Sequence, residues 1–105
     1  GMVQNPATAL ARIIASLKDG EGRITVSGFY DEWQEPSAAI RDQFAEMPFD
    51  EAAFTAGIES PGLFGEPGWS PLERKGVRPT LDVCGLWSGF QGEGSKTIIP
   101  ATAHA

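Results

Sequence analysis

The 105-residue sequence predicts an α+β domain, with helices packed on one face of an antiparallel sheet. Three observations lead there. Leu10, Ile13, Ile14 and Leu17 recur at helical spacing, and the alternating stretch Arg23 to Ser27 follows them. A second alternating stretch runs from Thr80 to Trp87, before a glycine-rich turn and a further strand start at Ala101 to Ala105. Between the two stretches lies a helical and loop insertion. Two or three strands and one good helix leave a sheet with unfilled edges, so the segment reads as part of a larger domain.

The elements follow in order. Asn5 is placed to cap the first helix and Pro6 suits its first turn, while Ala7 and Ala11 widen the apolar stripe. Asp19-Gly20-Glu21-Gly22 ends it. The next strand points Ile24 and Val26 inward and leaves through Gly28-Phe29-Tyr30-Asp31. Ser37 caps a second helix running to Met47, with Ile40, Phe44 and Met47 apolar and Pro48 as its stop. Asp50 caps a short third helix carrying Ala53 and Phe54. Gly57 to Gly68 shows no clear period and is predicted to be loop. Ser70-Pro71-Leu72-Glu73 has capping-box spacing and starts a helical turn before Gly76.

The stretch Pro79 to Pro100 holds most of the functional information. Its strand places Leu81, Val83, Gly85 and Trp87 on one side, with Thr80, Asp82, Cys84 and Leu86 on the other. Gly89, Gly92 and Gly94 give the turn freedom at positive φ. Ser95-Lys96-Thr97 is delivered at the edge of that turn, and Ile98-Ile99-Pro100 continues extended.

Composition narrows the function classes. Eight basic and 14 acidic residues give a net charge of −6, which argues against nucleic acid or an anionic membrane as partner. No apolar run is long enough to span a bilayer. One cysteine, Cys84, excludes an internal disulfide, fits a reducing compartment such as the cytoplasm, and reads as a small core residue. Gly89-x-x-x-x-Gly94-Ser95-Lys96-Thr97 nearly spells a phosphate loop, but the lysine falls one place late and no helix follows. A metal centre needs clustered donors. The one histidine, His104, reads as a surface or sheet residue, and Asp31, Glu32, Glu35, Asp42, Glu46, Asp50 and Glu51 as solvated or capping carboxylates.

An ordered set of segments carries a resemblance over nearly the whole chain. These are Asn5-Pro6-Ala7 with its helix, Asp19-Gly20, Gly28-Phe29-Tyr30-Asp31, Pro79-Thr80-Leu81-Asp82-Val83 and Gln91 through Ala101. Together they resemble the zinc metallopeptidase family of carnosine dipeptidases, carboxypeptidase G, aminoacylase and succinyl-diaminopimelate desuccinylase, in its dipeptidase branch. The resemblance implies the family's lid, which is also its dimerisation domain, here an incomplete ferredoxin-like arrangement over residues 1–105 without the catalytic metal-binding domain. It implies a homodimer through the first helix and the adjacent edge strand, with Arg23, Thr25 and Ser27 along the pairing edge.

Site residues follow from the same resemblance. Thr97 would offer its hydroxyl to a peptide substrate, and Gly92 and Gly94 would let the backbone approach it. From the residues alone, Thr97 reads as a β-branched residue entering a strand, which needs no function, and substrate contact comes from the resemblance. Lys96 faces substrate or water. The family's Asp-Leu-His-Ser-Gly and Arg-Leu-Val-Pro motifs do not occur here, and Trp33 and Cys84 stand where an aliphatic residue and an asparagine are expected. The chain alone is therefore predicted to hydrolyse nothing and to hold no cofactor. Zinc or another divalent metal would belong to the parent enzyme's catalytic domain. The rival reading is a free-standing α+β interaction module whose sheet is completed by a partner's strands.

Overall fold

A computed structural model describes residues 1–105. Four helices precede a small antiparallel sheet: α1 (Pro6–Ala15), α2 (Ala38–Glu46), α3 (Glu51–Gly57), α4 (Pro71–Gly76), β1 (Trp87–Ser88) and β2 (Ala103–His104). The helices start where local chemistry dictates. The side chains of Asn5, Ser37, Asp50 and Ser70 each accept a backbone N–H of the first turn they cap. At α4 the capping box is complete: Ser70 N–H donates to Glu73 Oε2 at 2.7 Å, and Glu73 N–H donates to Ser70 Oγ.

The sheet is smaller than the alternation predicts. β1 and β2 pair antiparallel, with Trp87 opposite His104 and Ser88 opposite Ala103, and α1 packs against both. Residues 81–86 form no regular element and have no ladder partner, and Arg23 to Ser27 contributes only an isolated bridge between Lys18 and Ile24. The physical reason is that a strand is made by its neighbour. Residues 79–86 make no backbone hydrogen bond, so their alternation is not realised as sheet.

The core also differs. Ile24 is buried as expected, but it is the one apolar residue that is. Val26 and Ile13 are exposed, the latter at 57 %, as are Ile40 and Met47, while Leu10, Ile14 and Leu17 are half-buried. Cys84, expected in the core, is exposed, because the unpaired stretch it lies on has no layer against its face. The Cα radius of gyration is 19.0 Å. A compact domain of about 100 residues has one near 13 Å. The molecule is a flat body of 56 × 35 × 18 Å whose apolar faces are largely open.

The centre is an ionic and aromatic cluster instead. Arg78 donates to both carboxylate oxygens of Glu66, at 2.7 and 2.8 Å. Both residues are buried, as is Glu73. The Arg78 guanidinium lies over Tyr30, Trp33 and Trp69 at 4.9, 4.2 and 4.9 Å. Tyr30 hydroxyl donates to Glu66 and accepts the N–H of Ile24, which ties the buried isoleucine to the cluster. On the other side Arg41 donates to Glu73 at 2.8 Å and to the Gly68 carbonyl, and lies over Trp69. α2 closes on α4 where Phe44 packs against Gly76, whose missing side chain leaves room for the ring.

Candidate functional site

The predicted substrate-facing residues sit on an arm, residues 89–102, that leaves β1 and returns into β2. Its base is tied by the two-residue ladder, by Ser88 Oγ donating to the Thr102 carbonyl at 2.7 Å, and by Gln91 donating to the Ser88 carbonyl at 2.8 Å. Beyond the base no backbone hydrogen bond holds it, and residues 91–99 are all exposed. Thr97 and Gly94 lie on this stretch with Gly92.

The glycines act differently from one another. Gly89 and Gly94 adopt positive φ, +75° and +84°, as expected of the turn. Gly92 does not, which corrects that expectation. Its role is steric: a Cβ there would lie 2.6 Å from the Phe90 ring. On that ring also rests the Lys96 ammonium, 4.5 Å from the centroid. Phe90 thus draws Gly92 and Lys96 together, a link that sequence spacing did not disclose because aromatic stacking has no motif.

His104 lies in β2 as a sheet residue, stacked on Trp87 at 5.1 Å and 10° between planes, with its Nε2 3.2 Å from the Thr102 hydroxyl. No three His, Cys, Asp or Glu side chains converge in a way that could hold a metal ion. The residues present therefore do not fit a metal of their own.

The central cluster is where charge is most perturbed. The Arg78 guanidinium holds the Glu66 carboxyl below the usual carboxylate range, against the opposing effect of burial, with Tyr30 and Arg23 adding to it. Glu66 in turn raises Arg78. Arg41, then the Ser70 N–H, lower Glu73 to about 2. These groups are hydrogen-bonded to each other, and the arrangement fastens the insertion to the residues on either side of it. Glu66, Arg78 and the Glu73–Arg41 pair escaped the sequence reading, although the capping-box position of Glu73 was legible.

The family model for a peptidase dimerisation domain matches residues 1–105. The chain belongs to the M20 peptidase dimerisation-domain family. Among similar proteins are Cys-Gly metallodipeptidases from Candida albicans, 29 % identical over 102 residues, and from Schizosaccharomyces pombe, 30 % identical over 113 residues. Each alignment covers 96 % of this chain and 21 % of the relative. The Beta-Ala-His dipeptidase of Rattus norvegicus is 23 % identical over 95 % of this chain and 20 % of its own. A solved M20 family metallo-carboxypeptidase, Sso-CP2 from Sulfolobus solfataricus, superposes with a TM-score of 0.79 at 31 % identity, covering 97 % of this chain and 27 % of that one. The dimerisation domain thus spans about a fifth of the length of the curated relatives it matches. It falls with the dipeptidase-like metallopeptidases, the branch that the sequence resemblance implies. No helix of the dimerisation domain is long and apolar enough to cross a membrane.

Proposed function

We propose that this chain is the dimerisation and substrate-covering lid segment of a dipeptidase-like metallopeptidase whose full-length form hydrolyses peptide or amide bonds. The observation that carries the reading is the arm 89–102, tethered at its base and otherwise without backbone hydrogen bonds. Such a segment presents N–H, C=O and hydroxyl groups to something outside itself. In the parent it would close over the peptide, exclude bulk water and offer Thr97, while Gly92 and Gly94 admit the substrate backbone. The divalent metal, zinc or another, would reside in the catalytic domain and would there activate water. The two-stranded sheet would be one corner of a larger ferredoxin-like sheet, and the exposed lone thiol fits the reducing cytoplasm.

Thr97→Val in the full-length enzyme tests the lid role. It keeps the branched shape and removes the hydroxyl. The expected loss in kcat/KM is about 1–3 kcal/mol, the cost of a polar partner left unpaired. Melting temperature and metal content should hold, since Thr97 is exposed and touches no part of the central cluster. Unchanged kcat/KM on the best dipeptide would leave Thr97 an ordinary surface residue.

The dimer would form through α1 and the extended edge after it. Ile13 and Val26 are exposed there, and Thr25 is fixed by its hydroxyl donating to the Ser16 carbonyl. Sedimentation of this chain at micromolar concentration should give a dimer, and Ile13→Asp should shift it to monomer. A folded wild-type monomer under those conditions would contradict the assignment.

A further inference from the structure

A groove of about 410 Å³ lies away from the arm, between the 63–66 segment, α3, α4 and the start of the unpaired stretch at Pro79. It is of the size that small-molecule sites have, and such sites are mostly apolar with a few convergent polar groups. Phe49, Phe54, Phe64 and Leu72 line it. Phe54 and Phe64 are 48 % and 74 % exposed, so two aromatic rings face water at its edge.

Its charge is one-sided. Four cations line the groove: Lys18, Arg74, Lys75 and Arg78. Two are neutralised within it, Arg78 by Glu66 and Lys18 by Asp82 at 3.2 Å. Arg74 and Lys75 form no ion pair. Arg74 uses Nε to donate to the Glu66 carbonyl, which fixes its side chain beside Gly65, where a Cβ would collide with it. Its terminal nitrogens make no hydrogen bond, nor does the Lys75 ammonium. In a chain of net charge −6, two adjacent uncompensated cations stand beside an aromatic-walled groove.

We propose that this groove binds a small monocarboxylate with a flat apolar body, the ring system against Phe49, Phe54 and Phe64 and the carboxylate on Arg74 and Lys75. A fork-shaped guanidinium beside an ammonium suits a carboxylate, and partial desolvation by the aromatic walls strengthens the contact. A cation would meet Arg74 and Lys75 as like charges, and a neutral ring system would leave them unpaired. The site is separate from the arm and does not depend on the lid assignment.

The test uses this chain and 2-naphthoate, with 2-naphthol and 2-naphthylmethylamine as neutral and cationic controls. Titration followed by chemical-shift changes should show saturable naphthoate binding that perturbs the Phe49, Phe54 and Phe64 rings. 2-Naphthol should bind at least tenfold more weakly and the amine not at all. Lys75→Glu, at an exposed position, should weaken naphthoate at least tenfold with an unchanged circular dichroism spectrum. Arg74→Gln should do the same. If Arg74→Gln unfolds the chain, Lys75→Glu decides. Equal affinity for naphthol and naphthoate, undiminished binding by folded Lys75→Glu, or no saturation at millimolar naphthoate would each overturn the proposal.

Discussion

Arg78→Met is expected to destabilise the chain by about 3–5 kcal/mol, the range for removing one partner of a buried ion pair. The guanidinium lost is the hub of the molecule. It makes the two-pronged contact to Glu66 and fills the space among Tyr30, Trp33 and Trp69. Methionine replaces much of the volume and none of the charge, so the Glu66 carboxylate stays with only the Tyr30 hydroxyl and a distant Arg23, 3.9 Å away. Glu66→Met in the same background should recover a large part of the loss, because replacing both charges by apolar groups leaves nothing buried and unpaired. Urea denaturation of the wild type, the single and the double variant measures both effects. A single variant within 1 kcal/mol of wild type would mean that the aromatic packing alone holds the insertion.

Acid should unfasten the insertion. Glu73 titrates at about 2 in the folded chain against an ordinary 4.5. Its folded pKa is depressed, so its contribution is complete above pH 4.5 and is lost as pH falls towards 2. Glu66 is lowered in the same direction and adds to this acid limb. Glu73→Gln keeps the shape while removing the titration, and should flatten the pH dependence of stability below pH 4.5. Glu73→Ala removes the capping box and the Arg41 contact together, at roughly 2–4 kcal/mol at neutral pH from the cap and the charge-assisted bonds. Denaturant midpoints between pH 7 and 2.5 give the comparison. Parallel curves for wild type and Glu73→Gln would show that Glu73 does not set the acid response.

The helices were legible because their determinants are local. Asn5, Ser37, Asp50 and Ser70 cap turns within three residues, and nothing distant is needed to recognise them. The sheet was not, because Leu81 to Leu86 has the alternation of a strand without a neighbour to hydrogen-bond it. The core was least legible. Charged residues read as surface, and the three that are buried owe it to partners elsewhere in the chain, Glu73 to Arg41 and Glu66 to Arg78 and Tyr30. Along the arm, the glycine at 94 announced its backbone conformation and the glycine at 92 concealed a ring.

The indole N–H of Trp33 donates to the Val77 carbonyl at 2.7 Å. The contact joins the stretch before α2 to the residue that follows α4, and Tyr30 and Arg78 reach Glu66 within the segment between them. Excising the segment between them would take Glu66 and Trp69 with it and leave the Arg78 guanidinium buried without its carboxylate. The insertion and the residues that flank it are therefore matched to one another, and a replacement of different length would have to bring its own carboxylate to Arg78.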